Sequence, residues 1–156
     1  MTVVDLKQLA QALEPGKRLM GLDIGTKTVG LALSDVMRTI ATPLETVFRE
    51  KFTRDAERLE FLIDKHDVGG LVLGLPLNMD GSEGPRCQST RQFATNLLAR
   101  RDIAIAFQDE RLSTVAVERV LIGEADLTRK KRAAVVDRAA AAYILQSALD
   151  ALAFQG

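Results

Sequence analysis

Val68 to Leu75 reads VGGLVLGL, eight residues without a polar side chain, and this run constrains the fold more than any other stretch. A strand that is apolar at nearly every position is expected where both faces of a sheet are covered. The flanking segments supply covers. From Phe52 to His66 the apolar residues Phe52, Ala56, Leu59, Leu62 and Ile63 recur at intervals of three and four, the spacing of a helix with one apolar face. On the other side, Pro85 opens a second helix expected to run to about Arg100, because proline suits the first helical position.

The remaining elements fall into place around that strand. Val3, Leu6, Leu9, Ala10 and Leu13 predict a short amphipathic helix closed by Pro15 and Gly16. Arg18 to Asp23 reads as a buried strand, Gly25 to Thr28 as a tight turn, and Val29 to Ser34 as the second arm of a hairpin. A third strand is expected over Thr42 to Phe48, and a fifth over Ile103 to Gln108. Ser113 is set to cap a short helix ending near Gly123, and a last helix spans about Ala133 to Ala153. Three strands, a helix, a strand, a helix, a strand and terminal helices make an α/β fold with a five-stranded mixed sheet flanked by helices. The two strand-helix-strand connections predict right-handed parallel crossovers.

At 156 residues the chain is the size of one domain, able to bury roughly 70% of its unfolded surface. Residues 1–17 read as an N-terminal extension and 18–156 as the domain proper. Cys87 stands alone, so no intramolecular disulfide is available, and no signal-peptide pattern opens the chain. Every apolar run is far shorter than the ~20 residues that span a bilayer. A cytoplasmic protein without a membrane partner is expected. Lysine plus arginine equals aspartate plus glutamate at 21 each, which excludes the uniform positive field of a DNA-packaging protein. Nucleic-acid binding must then use local patches, and Arg129, Lys130, Lys131 and Arg132 form one.

Asp23 is the most informative residue for chemistry. It sits in an apolar strand, where a carboxylate is costly unless a cation or hydrogen-bond donors compensate it. It could merely accept from the turn amides that follow. A catalytic divalent ion needs further carboxylates, since magnesium takes a few of them and keeps several waters. The fifth strand ends in Asp109-Glu110-Arg111, and alternation sends the two acids to opposite faces. Asp137, near the start of the last helix, is a third candidate, with favourable placement at a helix N-terminus as its alternative role.

These segments together resemble a known family. GLDIGTKTVGLALSD, GLPLNMDG, DERLST and VVDRAAAAYILQ are similar, in order, to the motifs of the YqgF/RuvX family of ribonuclease H-like nucleases, from roughly Arg18 to Leu152. The resemblance implies a ribonuclease H-like fold and a Mg²⁺- or Mn²⁺-dependent nuclease. Two roles are implied: maturation of the 5′ end of pre-16S ribosomal RNA in ribosome biogenesis, and Holliday-junction resolution on branched DNA. The family's acidic positions fall on Asp23, Glu110 and Asp137, as metal ligands and catalytic groups. Expected partners are pre-rRNA or branched DNA, with ribosomal particles in the first role, and the protein acts as a monomer or homodimer.

Lys27, Asn78, Gly81, Arg86, Arg111 and the run Arg129, Lys130, Lys131, Arg132 are the substrate-binding candidates. Their cations would grip phosphates and set position rather than sequence preference. With aromatics at 4%, extensive base stacking is not expected. His66, at a helix end where a partly positive ring suits the dipole, reads as structural, as does Cys87. Two other functions compete. The segment from Asp23 to Gly30 also looks like the first phosphate loop of sugar kinases and actin-like ATPases, though those folds pair two such domains. A non-catalytic nucleic-acid-binding or ribosome-assembly module is the other.

Overall fold

The computed structural model describes residues 3–110 and 129–155, with side chains described over 134–153 in the second segment. Its strands are β1 (Arg18–Ile24), β2 (Thr28–Ser34), β3 (Ala41–Phe48), β4 (Val68–Leu75) and β5 (Ala104–Asp109). Its helices are α1 (Leu6–Ala12), α2 (Phe52–Lys65), α3 (Pro85–Arg100) and α4 (Arg129–Gln155). The expected helix from Ser113 to Gly123, and Arg111, lie outside the described residues, as do the side chains of Arg129, Lys130, Lys131 and Arg132. The backbone of that basic run forms the first turn of α4, four residues earlier than the apolar pattern suggests.

The sheet order is β3-β2-β1-β4-β5. β1 pairs antiparallel with β2, and β2 with β3, while β1, β4 and β5 run parallel. The mixed sheet follows from the connections: tight turns join the antiparallel arms, and α2 and α3 carry the chain back between parallel strands. The VGGLVLGL run becomes β4, between β1 and β5.

Alternation divides the strand side chains into two unlike sets. Met20, Leu22, Ile24, Val29, Leu31, Leu33, Leu71, Leu73 and Ile105 pack with α2 and α3 in one core. Leu19, Ala32, Val72, Ala104 and Ala106 pack with α4 and Leu9 of α1 in the other. The second face is lower, because glycines complete it. A Cβ at Gly30 would lie 2.0 Å from the Asp137 carbonyl oxygen, and one at Gly21 would lie 2.7 Å from Leu145 Cβ. The α4 backbone therefore rests almost directly on β1 and β2. Side-chain hydrogen bonds help to fix its position: Thr46 donates to the Ala134 carbonyl, Gln146 donates to the Thr39 carbonyl, and Gln146 accepts from the Ala41 amide.

The N-terminal helix is shorter than expected. Asp5 caps it, accepting from the Gln8 amide at 2.7 Å while Gln8 accepts from the Asp5 amide, the reciprocal pattern that fixes a helix start. Val3 instead bridges Ile105 beside β5. Leu9 is fully buried, so the segment ahead of β1 contributes to the second core. Among the described residues no helix is long and apolar enough to cross a membrane.

Candidate active site

The parallel strands β1, β4 and β5 end at the same sheet edge, where open α/β sheets bind ligands. Asp23 lies near the end of β1. Two residues earlier on the same face stands Gly21, against which α4 packs, so Asp23 also points to the α4 side. Its pairing partner is Gly30, whose missing side chain brings the Asp137 backbone close. Glu110 follows β5 on the parity of Ala104 and Ala106, hence on this face too. Asp109 has the parity of Ile105 and Phe107, two members of the other core, and is exposed. The acid pair at the end of β5 is thus divided by alternation, and Glu110 is the one beside Asp23.

A cleft of about 660 Å³ opens at this edge, lined among others by Asp23, Asn78, Met79, Arg86, Glu110 and Asp137. Burial pushes the Asp23 carboxyl above its ordinary value, and the nearby charge of Asp137 raises it further, while a hydrogen bond from Glu110 and the Arg86 charge act against this. Glu110 is pushed up to about 8, first by burial, then by the Asp23 charge and by the hydrogen bond it donates to Asp23. Two half-buried acids in contact favour a proton between them, because like charges repel more strongly when solvent is withdrawn. Arg86, in the first turn of α3, lowers both values. Asp137 accepts a hydrogen bond from the Thr28 hydroxyl.

The three acids expected from the sequence therefore line one cleft. Among the described residues no group of three such side chains forms a preset metal cage: Asp23 and Glu110 touch, whereas Asp137 is directed to Thr28. The donor set is nonetheless all carboxylate, the chemistry of hard cations such as magnesium and manganese. Lys27 is exposed on the β1–β2 turn, and Gly81 lies in the turn after β4 with φ +89°, a left-handed conformation suited to glycine. Neither lines the cleft, unlike Asn78 and Arg86.

Three contributors escape a reading of the sequence. Thr28 shares the face of Gly30, two residues on, a parity signal that could have marked it. Arg49 has no local signal: from beyond β3 its amide donates to the Lys27 carbonyl at 2.8 Å and its guanidinium to the Gly25 carbonyl at 2.6 Å. It steadies the turn that follows Asp23. Met79 lines the cleft while largely exposed, and only the loop around it was foreseeable. His66 departs from expectation. It caps the end of α2, where burial, then Lys65 and Arg18, hold its imidazole below the ordinary value, against the partly positive ring expected there.

Known proteins share both the sequence and the fold. A protein of Rhodospirillum rubrum named "Putative pre-16S rRNA nuclease" is 61% identical over 152 residues, covering 97% of this chain and 94% of its own. One of the same name from Paramagnetospirillum magneticum is 61% identical over 150 residues, covering 96% of each chain. The structure of Thermus thermophilus RuvC in complex with a Holliday junction substrate superimposes with a TM-score of 0.52 at 15% identity, over 86% of this chain and 94% of that one. The fowlpox virus Holliday junction resolvase gives 0.52 at 13% identity, over 86% and 99%. The fold is thus the ribonuclease H-like one of RuvC-type resolvases. Residues 17–151 match the RuvX family, described as Holliday junction resolvase, and the chain belongs to that family.

Proposed function

We propose that this protein is a divalent-metal-dependent nuclease that hydrolyses phosphodiester bonds, with the 5′-end maturation of pre-16S rRNA as its task. The observation that carries the reading is the contact between Asp23 and Glu110 at a cleft that Asp137 and Arg86 also line. The names of the relatives support the RNA substrate. Asp23, Glu110 and Asp137 would hold Mg²⁺ or Mn²⁺, whose positive charge would take the place of a proton between the acids. When bound, such a cation activates water and stabilises the leaving oxygen.

The chain's own residues supply the rest. Asp23 and Glu110 would have to be ionised to hold the cation, so its affinity would rise with pH. Thr28 orients the Asp137 carboxylate from β2. Arg86 offers a guanidinium to a phosphate oxygen, and its place in the first turn of α3 adds the positive end of a helix dipole. Asn78 presents an amide at the rim. Lys27 and the basic run Arg129, Lys130, Lys131 and Arg132 are the proposed wider grip on the backbone, together with Gly81 and Arg111.

Labelled pre-16S RNA, four-way DNA junctions and single strands, incubated with the protein and Mg²⁺ or Mn²⁺, test this. Cleavage of the RNA that is lost in Asp23→Asn is expected. Undiminished cleavage in that variant sinks the site assignment. The family description favours a second reading, a resolvase acting on branched DNA. Symmetric cutting of two strands calls for a two-fold dimer, so a strict monomer with and without a junction would count against it.

A further inference from the structure

Met79 is 68% exposed, yet it lines the same cleft as Asp23, Glu110 and Arg86. An apolar side chain at a wet, charged rim is there at a cost in hydration, and its turn is built to hold it in place. The Asn78 amide donates to the Ser82 carbonyl, and the Gly81 amide to that of Asn78, both at 2.8 Å. Asp80 accepts from the Ser82 amide at 2.9 Å and from the Ser82 hydroxyl at 2.6 Å, while the Asn78 side-chain amide donates to the Ser82 hydroxyl. Gly81 closes the turn with its left-handed φ of +89°. A partner meeting Met79 meets a turn that is already ordered, so little entropy is lost on contact.

The charges around it divide the rim. Arg86 offers a cation on one side, whereas the tip of the turn carries Asp80, Glu83 is paired with Arg91 of α3, and no lysine or arginine stands between Asn78 and Pro85. Negative charge at the tip turns phosphates away. What suits Met79 is therefore the apolar face of a base whose phosphate lies toward Arg86. A thioether is polarizable and favours aromatic contact, and methionine is among the side chains that wedge between base steps.

We propose that Met79 stacks on the base beside the scissile phosphate and so selects sites where that base is unpaired or easily unstacked. This rests on the nuclease reading. The full-length protein would be bound, with Ca²⁺ present, to RNA and DNA hairpins carrying 2-aminopurine at successive positions, and binding followed separately by anisotropy. Wild type and Met79→Leu are expected to raise the emission several-fold at one position, and Met79→Ala to lose most of that rise. With Mn²⁺, Met79→Ala should cleave single-stranded sites about tenfold worse, in line with the energy of one base stack, and lose less on paired sites, so the preference for unpaired bases shrinks. Met37→Ala, more exposed still on the β2–β3 loop, should match wild type in both measurements. A full emission rise in Met79→Ala, or an equal loss on paired and single-stranded substrates, overturns the proposal. Emission that responds to Met79 without Asp23-dependent cleavage overturns the nuclease reading and leaves the stacking contact standing. Failure of wild type to bind any of the hairpins overturns both.

Discussion

The two faces of this sheet are built from different residues for different purposes. Toward α2 and α3 the strands present Met20, Leu22, Ile24, Leu31, Leu71, Leu73 and Ile105, large side chains that hold the helices away from the backbone. Toward α4 they present Gly21, Gly30, Ala32, Gly74, Ala104 and Ala106, and the α4 backbone settles onto the strands. The first face buries apolar area and carries stability. The second gives up area, and in return a helix comes close enough for Asp137 to reach the cleft that Asp23 and Glu110 line. Asp23, Thr28 and Glu110 continue the low face to its edge, where small residues give way to polar ones.

Cutting a side chain from each face should break the fold on one and the site on the other. Leu71→Ala, on the α2–α3 face and 1% exposed, should cost about 2–5 kcal/mol in thermal or denaturant unfolding. Nuclease turnover measured well below the melting temperature should stay within about twofold of wild type, because turnover reports transition-state stabilisation rather than fold stability. A large loss of turnover in the folded variant would show that the faces are not separate. Gly74→Ala makes the opposite test. Its Cβ would lie 2.4 Å from Ile144 and 2.6 Å from a Glu110 carboxylate oxygen, so either α4 lifts or Glu110 moves. The stability loss should be about 1–3 kcal/mol, with turnover reduced at least tenfold, as small displacements at a reacting centre can do. Wild-type turnover in Gly74→Ala would show that Glu110 need not sit where it does.

Glu110 also makes the low face sensitive to pH. Its folded value of about 8 stands above the ordinary 4.5. Its contribution to stability is therefore full below about 4.5 and is lost as pH rises through about 8. Glutamine at 110 keeps a donor for Asp23 but cannot ionise. In chelator, Glu110→Gln should match wild-type stability at the acid end and exceed it increasingly as pH rises toward the folded value. Saturating Mn²⁺ should reverse the order, since only the carboxylate gains a cation. A wild type whose melting temperature is level across the window, against a Glu110→Gln baseline, would remove the buried-proton account.

Much of this arrangement is legible in the sequence where a residue's own strand determines its environment. VGGLVLGL announces a doubly covered strand, and the strand order of the chain gives the mixed sheet. Asp23 is conspicuous because its neighbours are apolar. The choice between Asp109 and Glu110 was also within reach, since Ala104 and Ala106 are small while Ile105 and Phe107 are large, and parity places Glu110 with the small set. Contacts made across the chain were not legible. Nothing in the sequence near Arg49 says that its guanidinium holds the Gly25 carbonyl, nor near Thr28 that its partner is 109 residues away. The start of α4 was misjudged because apolar periodicity begins only at Ala133, while the backbone is helical from Arg129. Periodicity reports what is buried, and a first turn need not be.

Thr28 gives the smallest and most local of these tests. Its hydroxyl donates to Asp137, so it fixes a carboxylate on α4 from a strand on the opposite side of the helix–sheet contact. Valine keeps the shape and the strand preference but removes the donor. Thr28→Val should cost about 0.5–1.5 kcal/mol, the usual net value of one hydrogen bond. If Thr28 acts by orienting Asp137, the variant should need more Mn²⁺ for half-maximal activity and show weaker binding of Mn²⁺ by calorimetry, with the RNA KM little changed. Thr28→Ser restores the hydroxyl and should recover most of the affinity. Equal Mn²⁺ affinity in the valine and serine variants would make the bond a matter of helix seating alone, and the low face would then position Asp137 through its backbone at Gly30 rather than through its side chain.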